Sequence, residues 1–101
     1  MGLGALPIPT QELADLCQKW HVARLALFGS VLRADFGPSS DVDVLVTFLP
    51  GLEPSLIGLA QLQQALSRLF DGRSVDIVTP GALHPLLREH ILASAREQYA
   101  A

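Results

Sequence analysis

Two carboxylates at the start of an apolar stretch have the clearest chemical potential in this sequence. Asp41 and Asp43 flank Val42, and the apolar run 44–46 follows them. In an extended strand, residues i and i+2 share a face with Cα atoms roughly 6.6 Å apart, so the two carboxylates project together. At that separation they repel by about 2.5 kcal/mol at an effective dielectric constant of ~20. A divalent cation removes this repulsion, and hard oxygen ligands suit Mg²⁺ or Mn²⁺.

A glycine and a serine end the preceding apolar stretch, residues 22–28. Gly29 lets the backbone approach a ligand closely because it has no Cβ. Ser30 is expected to begin a short helix, where its hydroxyl and the free N–H groups are suited to an anion. Alone, an Asp-x-Asp is usually a solvated strand end and a Gly-Ser pair usually a turn. Their pairing, each beside an apolar strand, favours a site that holds a metal ion and a phosphate together.

This arrangement resembles a known family. Gly29-Ser30, followed after ten residues by Asp41-x-Asp43, is similar to the signature of the DNA polymerase beta-type nucleotidyltransferase superfamily. The short length resembles its minimal branch, the MNT domains paired with HEPN proteins in bacterial and archaeal toxin–antitoxin operons. The resemblance implies that Asp41 and Asp43 ligate metal and that Asp76, on a later apolar strand, completes the site.

The resemblance also implies a mechanism, which is in-line nucleotidyl transfer assisted by two Mg²⁺ or Mn²⁺ ions. Asp41 and Asp43 would bridge the ions that carry ATP. Asp76 would ligate the ion at the acceptor and accept the proton of its hydroxyl. Ser30, with the backbone around Gly29, would hold the β- and γ-phosphates.

Two nearby residues depart from the family's usual pattern, and a third is a candidate for phosphate binding. Val31 stands where a basic residue is frequent in the family, and Ala34 where glycine is frequent. Neither departure removes a catalytic group, but Val31 is expected to weaken triphosphate binding. Arg33 lies one helical turn beyond Ser30 and is expected either to reach the triphosphate or to form a surface ion pair.

The elements that position the first two aspartates follow from periodicity and turn residues. Apolar residues at helical spacing predict a first helix to about Trp20, capped by Thr10. Strands are predicted at 22–28 and 41–48. Only a dozen residues connect them, which favours antiparallel pairing and places the start of the second strand beside the end of the first.

The third aspartate is positioned by a crossover. A second helix is predicted with Pro54 in its first turn and an end near Phe70, followed by a third strand at 74–79. A full helix is long enough for a right-handed crossover, so this strand is expected parallel to the second. Asp76 is then expected at the same end of the sheet as Asp41 and Asp43, aligned with them across the two parallel strands.

The predicted fold class is α/β (α+β), in the order αβαβαβα. A mixed sheet of three strands, or slightly more, is flanked by helices in the polymerase beta-like nucleotidyltransferase fold. Pro85 suits the first turn of the last helix. Its apolar stripe is predicted to comprise Leu83, Leu86, Leu87 and Ile91, with Arg88, Glu89, Arg96 and Glu97 facing outward.

Composition limits the function classes. The 101 residues, of which 50% are hydrophobic and 17% charged, predict a single domain, 1–101, with more apolar side chains than one small core can bury. A net charge of −3 with scattered basic residues argues against general nucleic-acid binding. A single cysteine, no recognisable signal peptide and no apolar stretch of ~20 residues predict a cytoplasmic protein that does not span a membrane.

The acceptor is expected on another chain, because one small domain has room for little more than the nucleotide site. The resemblance implies AMP transfer from ATP to a tyrosine of a HEPN ribonuclease toxin, which the modification silences. Two alternatives stay open: a non-catalytic antitoxin that binds its toxin, and nucleotidyl transfer to a small molecule such as an aminoglycoside. The surplus apolar surface is expected to contact the toxin, with a homo-oligomer as the alternative.

Overall fold

The computed structural model describes residues 8–29 and 41–101. Its elements are α1 (Thr10–Lys19), β1 (Val22–Phe28), β2 (Val42–Phe48), α2 (Leu56–Leu69), β3 (Val75–Val78), a short 3₁₀ turn (Pro80–Ala82), α3 (Pro85–Ser94) and β4 (Arg96–Ala100). The short helix predicted after Ser30 lies outside the described residues.

The four strands form one mixed sheet in the order β3-β2-β1-β4. β1 pairs antiparallel with β2 and with β4, whereas β2 pairs parallel with β3. Both predicted pairings are therefore confirmed, the antiparallel one between the first two strands and the parallel one across the α2 crossover. The mixed α+β class is also confirmed, with a sheet one strand larger than the minimum of three.

The end of the chain differs from the prediction. The last helix ends at Ser94, and Arg96 and Glu97, expected on its outer face, instead begin β4. β4 pairs with β1, and Glu97 Oε1 lies 3.2 Å from Arg24 Nε. Without β4, one edge of β1 would leave its backbone N–H and C=O groups without strand partners. This tertiary pairing outweighs the helical pattern of the preceding residues.

The helix starts also correct the prediction in part. Thr10 is the first helical residue and Pro9 flanks it without a side-chain cap, so the predicted cap at Thr10 is wrong. α2 is capped by Ser55, whose Oγ accepts a hydrogen bond from the Gly58 N–H at 3.1 Å. Pro54 therefore precedes the helix instead of lying in its first turn. Pro85 begins α3 as predicted.

The core lies between α1, α2 and one face of the sheet. On β2, Val42, Val44 and Val46 all have 0% exposure. A fully buried apolar side chain of this size contributes roughly 1.5–3 kcal/mol, so β2 is held firmly in place. Helical and flanking residues complete the cluster, principally Leu13, Cys17, Leu62, Leu66 and Phe70.

α3 does not join this core. None of its ten residues, all within the described part of the chain, is buried, so its predicted apolar stripe is wrong. Leu86 and Leu87 are 85% and 55% exposed, because α1 and α2 already cover the core face of the sheet. Leu56, the first residue of α2, is also 85% exposed. In the described ranges, no helix is long and apolar enough to cross a membrane.

Candidate functional site

Asp43 occupies the centre of the candidate site, on β2 between two neighbouring strands. Its Cα is in register with Phe28 of β1 on one side and with Asp76 of β3 on the other. Because side chains alternate along a strand and Val42 and Val44 face the core, Asp43 points to the opposite face of the sheet. Asp76 shares this face, and its predicted alignment with Asp43 on the neighbouring strand is confirmed.

Gly29 lies directly against Asp43. Its φ of +75° is in the left-handed region that favours glycine. A Cβ at this position would overlap Asp43 Oδ2 and lie 3.2 Å from Asp43 Cγ. Any other residue type would therefore strain the backbone and displace the carboxylate. The fold thus brings together the glycine corner and the second carboxylate, as the sequence predicted.

Asp41 precedes β2 and is exposed. The Val42 N–H donates a hydrogen bond of 2.8 Å to the Ser74 carbonyl oxygen, which joins the beginnings of β2 and β3. As a result, Asp41 and Asp76 line the same cavity, which has a volume of about 420 Å³. The first and third aspartates therefore lie at the same end of the sheet.

The second half of α2 forms another wall of this cavity, through Gln63, Gln64 and Ser67. Ser67 Oγ donates a hydrogen bond of 2.6 Å to the Arg73 carbonyl oxygen. The Gly72 N–H donates one of 2.7 Å to the Ser67 carbonyl oxygen. These bonds fix the turn between α2 and β3, and with it the start of the strand that carries the third aspartate.

Sequence reasoning missed the polar wall of α2. A signal was nevertheless present, because Gln63, Gln64 and Ser67 have the spacing i, i+1 and i+4, which places them on one side of a helix. The same spacing is also typical of the solvent face of an amphipathic helix, so the sequence alone did not distinguish a cavity wall from an ordinary polar surface. Ser74, which also lines the cavity, offered no comparable pattern.

Two predicted nucleotide-binding residues, Ser30 and Arg33, lie outside the described residues. The same is true of the family departures at Val31 and Ala34. The phosphate contacts assigned to Ser30 and Arg33 therefore stay predictions. Of the predicted phosphate corner, the structure describes Gly29.

The donor set fits a hard divalent cation. Asp41, Asp43 and Asp76 offer carboxylate oxygens, the ligands that suit Mg²⁺ and Mn²⁺. Within residues 8–29 and 41–101, no three His, Cys, Asp or Glu side chains are gathered closely enough to hold an ion. The side chains of the three aspartates would therefore have to move together to bind one.

Comparison with known proteins places this geometry in a family. A family model described as a nucleotidyltransferase domain matches residues 11–97. A proposed protein adenylyltransferase of Methanocaldococcus jannaschii is 35% identical over 85 residues, which is 84% of this chain and 88% of that protein. Both matches span the strands that carry the three aspartates.

Solved structures share the fold. A proposed minimal nucleotidyltransferase is 38% identical, with a TM-score of 0.69 and a match that covers 85% of each chain. A chain from the complex of a tri-AMPylated Shewanella oneidensis HEPN toxin with an MNT antitoxin matches with a TM-score of 0.63 over 91% of this chain and 70% of that chain. At 19% identity, the second likeness shows the fold alone, which is the polymerase beta-like nucleotidyltransferase fold.

Proposed function

Because the chain belongs to the nucleotidyltransferase domain family, we propose that it is an MNT antitoxin that transfers AMP from ATP to a tyrosine of a HEPN-type toxin. The observation that carries the proposal is the register of Asp43 with Asp76, combined with the contact of Gly29 against Asp43. The similarity to a proposed protein adenylyltransferase supports AMP as the transferred group. The fold match to a complex that contains an AMPylated HEPN toxin supports the choice of acceptor.

The β1 side of the site is proposed to bind the triphosphate. The absence of a Cβ at Gly29 leaves space for the Asp43 carboxylate against the backbone, and a glycine at this corner also allows a ligand to approach the backbone closely. Ser30 and Arg33 follow it in the chain and would donate hydrogen bonds to phosphate oxygens, where charge-assisted bonds are strong. Phosphate binding at this corner would orient the α-phosphate towards the acceptor side.

The three aspartates are proposed to hold two divalent ions, Mg²⁺ or Mn²⁺. Asp41 and Asp43 would ligate them on the nucleotide side, and Asp76 on the acceptor side. When bound, the ions supply positive charge that offsets the charge of the phosphate oxygens and helps align them. The donor chemistry of the three carboxylates supports this assignment.

Asp76 is proposed to act on the acceptor. It is exposed at the mouth of the cavity that it shares with Asp41, so an acceptor hydroxyl can approach it from solvent. A carboxylate oxygen within hydrogen-bond reach of that hydroxyl can take its proton as the oxygen attacks. Asp76 is therefore assigned to the acceptor and not to the triphosphate.

The surface supports a second protein chain as the partner. Leu86, Leu87 and Leu92 of α3 are 85%, 55% and 44% exposed. Leu92 also lines a groove with Leu45, which lies two residues along β2 from Asp43 and on the same face of the sheet. An apolar helix beside the carboxylate face suits a toxin contact, and a homo-oligomer is the competing use of this surface.

Transfer of labelled AMP tests the proposal. The chain is incubated with Mg²⁺, α-labelled ATP and the protein encoded beside its gene, which the proposal expects to be a HEPN-type protein. Label is expected on that protein, none is expected with γ-labelled ATP, and a chelator should abolish the reaction. A stable complex without label would indicate the non-catalytic antitoxin instead. Labelling of an aminoglycoside but not of the protein would indicate the small-molecule transferase.

A further inference from the structure

A groove lies under α3 on the face of the sheet that carries the aspartates, and it is called the α3 groove here. Its floor is a row of residues on three neighbouring strands, Glu97 of β4, Ala26 of β1 and Leu45 of β2. Ala26 alternates with the completely buried Leu25 and Leu27, so it points to the site face. The small side chain of Ala26 leaves a depression in the middle of this row.

The wall and the rim of the α3 groove differ in chemistry. Leu92 and Ala95, on α3 and at its end, contribute an apolar wall. Arg24 and Thr47, which pair across β1 and β2, lie at the rim with Glu97. The Glu97 Oε1 lies 3.2 Å from Arg24 Nε, so the rim offers both hydrogen-bond donors and acceptors. An apolar floor and wall with a polar edge suit a planar heterocycle better than an alkyl side chain.

The α3 groove also lies at a suitable distance from Asp43. Residues that alternate on one face of a strand are roughly 6.6 Å apart, so Leu45 lies one such step from Asp43 and Thr47 lies two. A nucleotide with its α-phosphate at the aspartates would place its ribose about one step away along β2. Its base would then lie over Ala26 and Leu45, with its polar edge towards the rim.

The direction of the groove agrees with the geometry of the proposed transfer. Attacking and leaving oxygens are roughly in line through the phosphorus. In the proposed site this line runs across the strands, from Gly29 at the end of β1 towards Asp76 on β3. The nucleoside oxygen of the α-phosphate must point away from this line. The α3 groove lies along β2, to the side of the line, where the nucleoside can be accommodated.

From this placement we propose that the α3 groove binds the nucleobase of the nucleotide substrate, and that Glu97 accepts a hydrogen bond from an exocyclic amino group of the base. The inference rests on the proposed function and adds the residues that select the base. The volume of about 220 Å³ is below the ~300 Å³ at which sites for drug-sized ligands begin. The groove therefore has room for a base and not for a whole nucleotide.

Adenine matches the rim of the α3 groove. Its 6-amino group is a donor and its neighbouring ring nitrogens are acceptors, which complement the Glu97 carboxylate and the donors of Arg24 and Thr47. Hypoxanthine and uracil have a carbonyl oxygen in place of the amino group. That oxygen would face the Glu97 carboxylate with an acceptor against an acceptor, so these bases are expected to bind less tightly.

Ala26→Leu tests the position of the base, because the larger side chain fills the depression in the floor. Affinities for ATP and for inorganic tripolyphosphate are measured by calorimetry in Mg²⁺. The variant should bind ATP about tenfold less tightly, since its side chain occupies the space of the base. Its affinity for tripolyphosphate, which has no base, should equal that of the wild type. Ala93→Leu is the matched control, because it adds the same atoms at an exposed position of α3 outside the described lining of the groove.

Two results with Ala26→Leu would overturn the inference. One is an equal loss of affinity for ATP and for tripolyphosphate, which would indicate a disturbed triphosphate site. The other is an unchanged ATP affinity, and if the KM for the HEPN-type protein rises at the same time, the groove binds the partner chain instead.

Glu97→Ala tests the contact with the amino group at an exposed position, where replacement should leave the fold intact. The wild type should bind ATP about tenfold more tightly than purine riboside triphosphate, which lacks the 6-amino group. Glu97→Ala should bind both equally, whereas Glu89→Ala, an exposed control on α3, should keep the difference. Equal affinities in the wild type would overturn the inference. Neither measurement uses an acceptor, so absent AMP transfer with these affinities intact would refute the proposed function alone. A wild-type chain that binds neither ATP nor tripolyphosphate would refute both.

Discussion

The two faces of β2 differ in their surroundings. One face is buried in the core, whereas the other carries a carboxylate of the candidate site. On the core face of β2, Val42, Val44 and Val46 are completely buried, whereas Asp43 and Thr47 on the other face retain partial exposure. Burial of the first set fixes the backbone from which the second set projects. The position of the carboxylate is therefore determined largely by apolar contacts on the opposite side of its own strand. Stability and chemistry should accordingly be separable by mutations one residue apart.

Replacement of a core-face residue should have the largest effect on the free energy of unfolding. Val44→Asp places a carboxylate where exposure is 0%, and an uncompensated buried charge costs at least about 3 kcal/mol. Thr47→Asp, on the other face of the same strand, should change the free energy of unfolding by no more than about 1 kcal/mol. Urea denaturation followed by circular dichroism compares the two. Equal destabilisation would show that the faces do not differ as described.

Loss of the acceptor-side carboxylate should leave the fold intact and lower the rate of AMP transfer. Asp76→Asn is expected to lower the rate of AMP transfer by about 10²- to 10⁴-fold, the usual contribution of a positioned proton acceptor, while ATP affinity remains measurable. Asp71→Asn is the matched control, since Asp71 is exposed and its φ of +59° is tolerated by asparagine. If Asp76→Asn abolishes ATP binding as completely as Asp43→Asn does, Asp76 belongs to the triphosphate site.

Two glycines with similar φ values allow the effect of backbone strain to be distinguished from the effect of a steric overlap with Asp43. Gly29 and Gly51 have φ values of +75° and +77°, but a Cβ would meet Asp43 only at Gly29 and nothing within 4 Å at Gly51. Each Gly→Ala change should cost about 1–2 kcal/mol of folding free energy from left-handed strain. Only Gly29→Ala should also weaken ATP binding in Mg²⁺, measured by calorimetry. Equal ATP affinities in the two variants would argue against the phosphate corner.

Cys17 provides a probe of the core face at alkaline pH. It is 1% exposed, and burial raises the pKa of its thiol from 9.0 to about 12. At pH 8 the native thiol should react with iodoacetamide only through unfolding, because the thiolate is the nucleophile. Above pH 9 the unfolded thiol ionises while the folded one stays protonated, so stability should fall between pH 9 and 12. Rapid alkylation of the native protein would contradict this burial.

Much of the site was predictable because its signals are local. The alternation of side chains along the strand predicted the face on which the Asp43 carboxylate lies. The short connection after Gly29 predicted that the first two strands pair antiparallel. β4 was not predictable in this way, because Arg96–Ala100 becomes a strand through its pairing with β1. The exposure of Leu86 followed from competition for a core face that α1 and α2 already cover. Both errors arose where long-range packing decided between patterns that looked alike locally.

The central claim is that the carboxylate face performs transfer while the core face maintains the fold, and Asp43→Asn tests it most directly. The HEPN-type protein is incubated with ATP and Mg²⁺ and with either wild-type chain or this variant, and its intact mass is then measured. The wild type should add the mass of AMP. The variant should add none, with an unfolding free energy equal to or slightly above that of the wild type, because repulsion between neighbouring carboxylates is relieved. Modification at the wild-type rate by Asp43→Asn would contradict the claim.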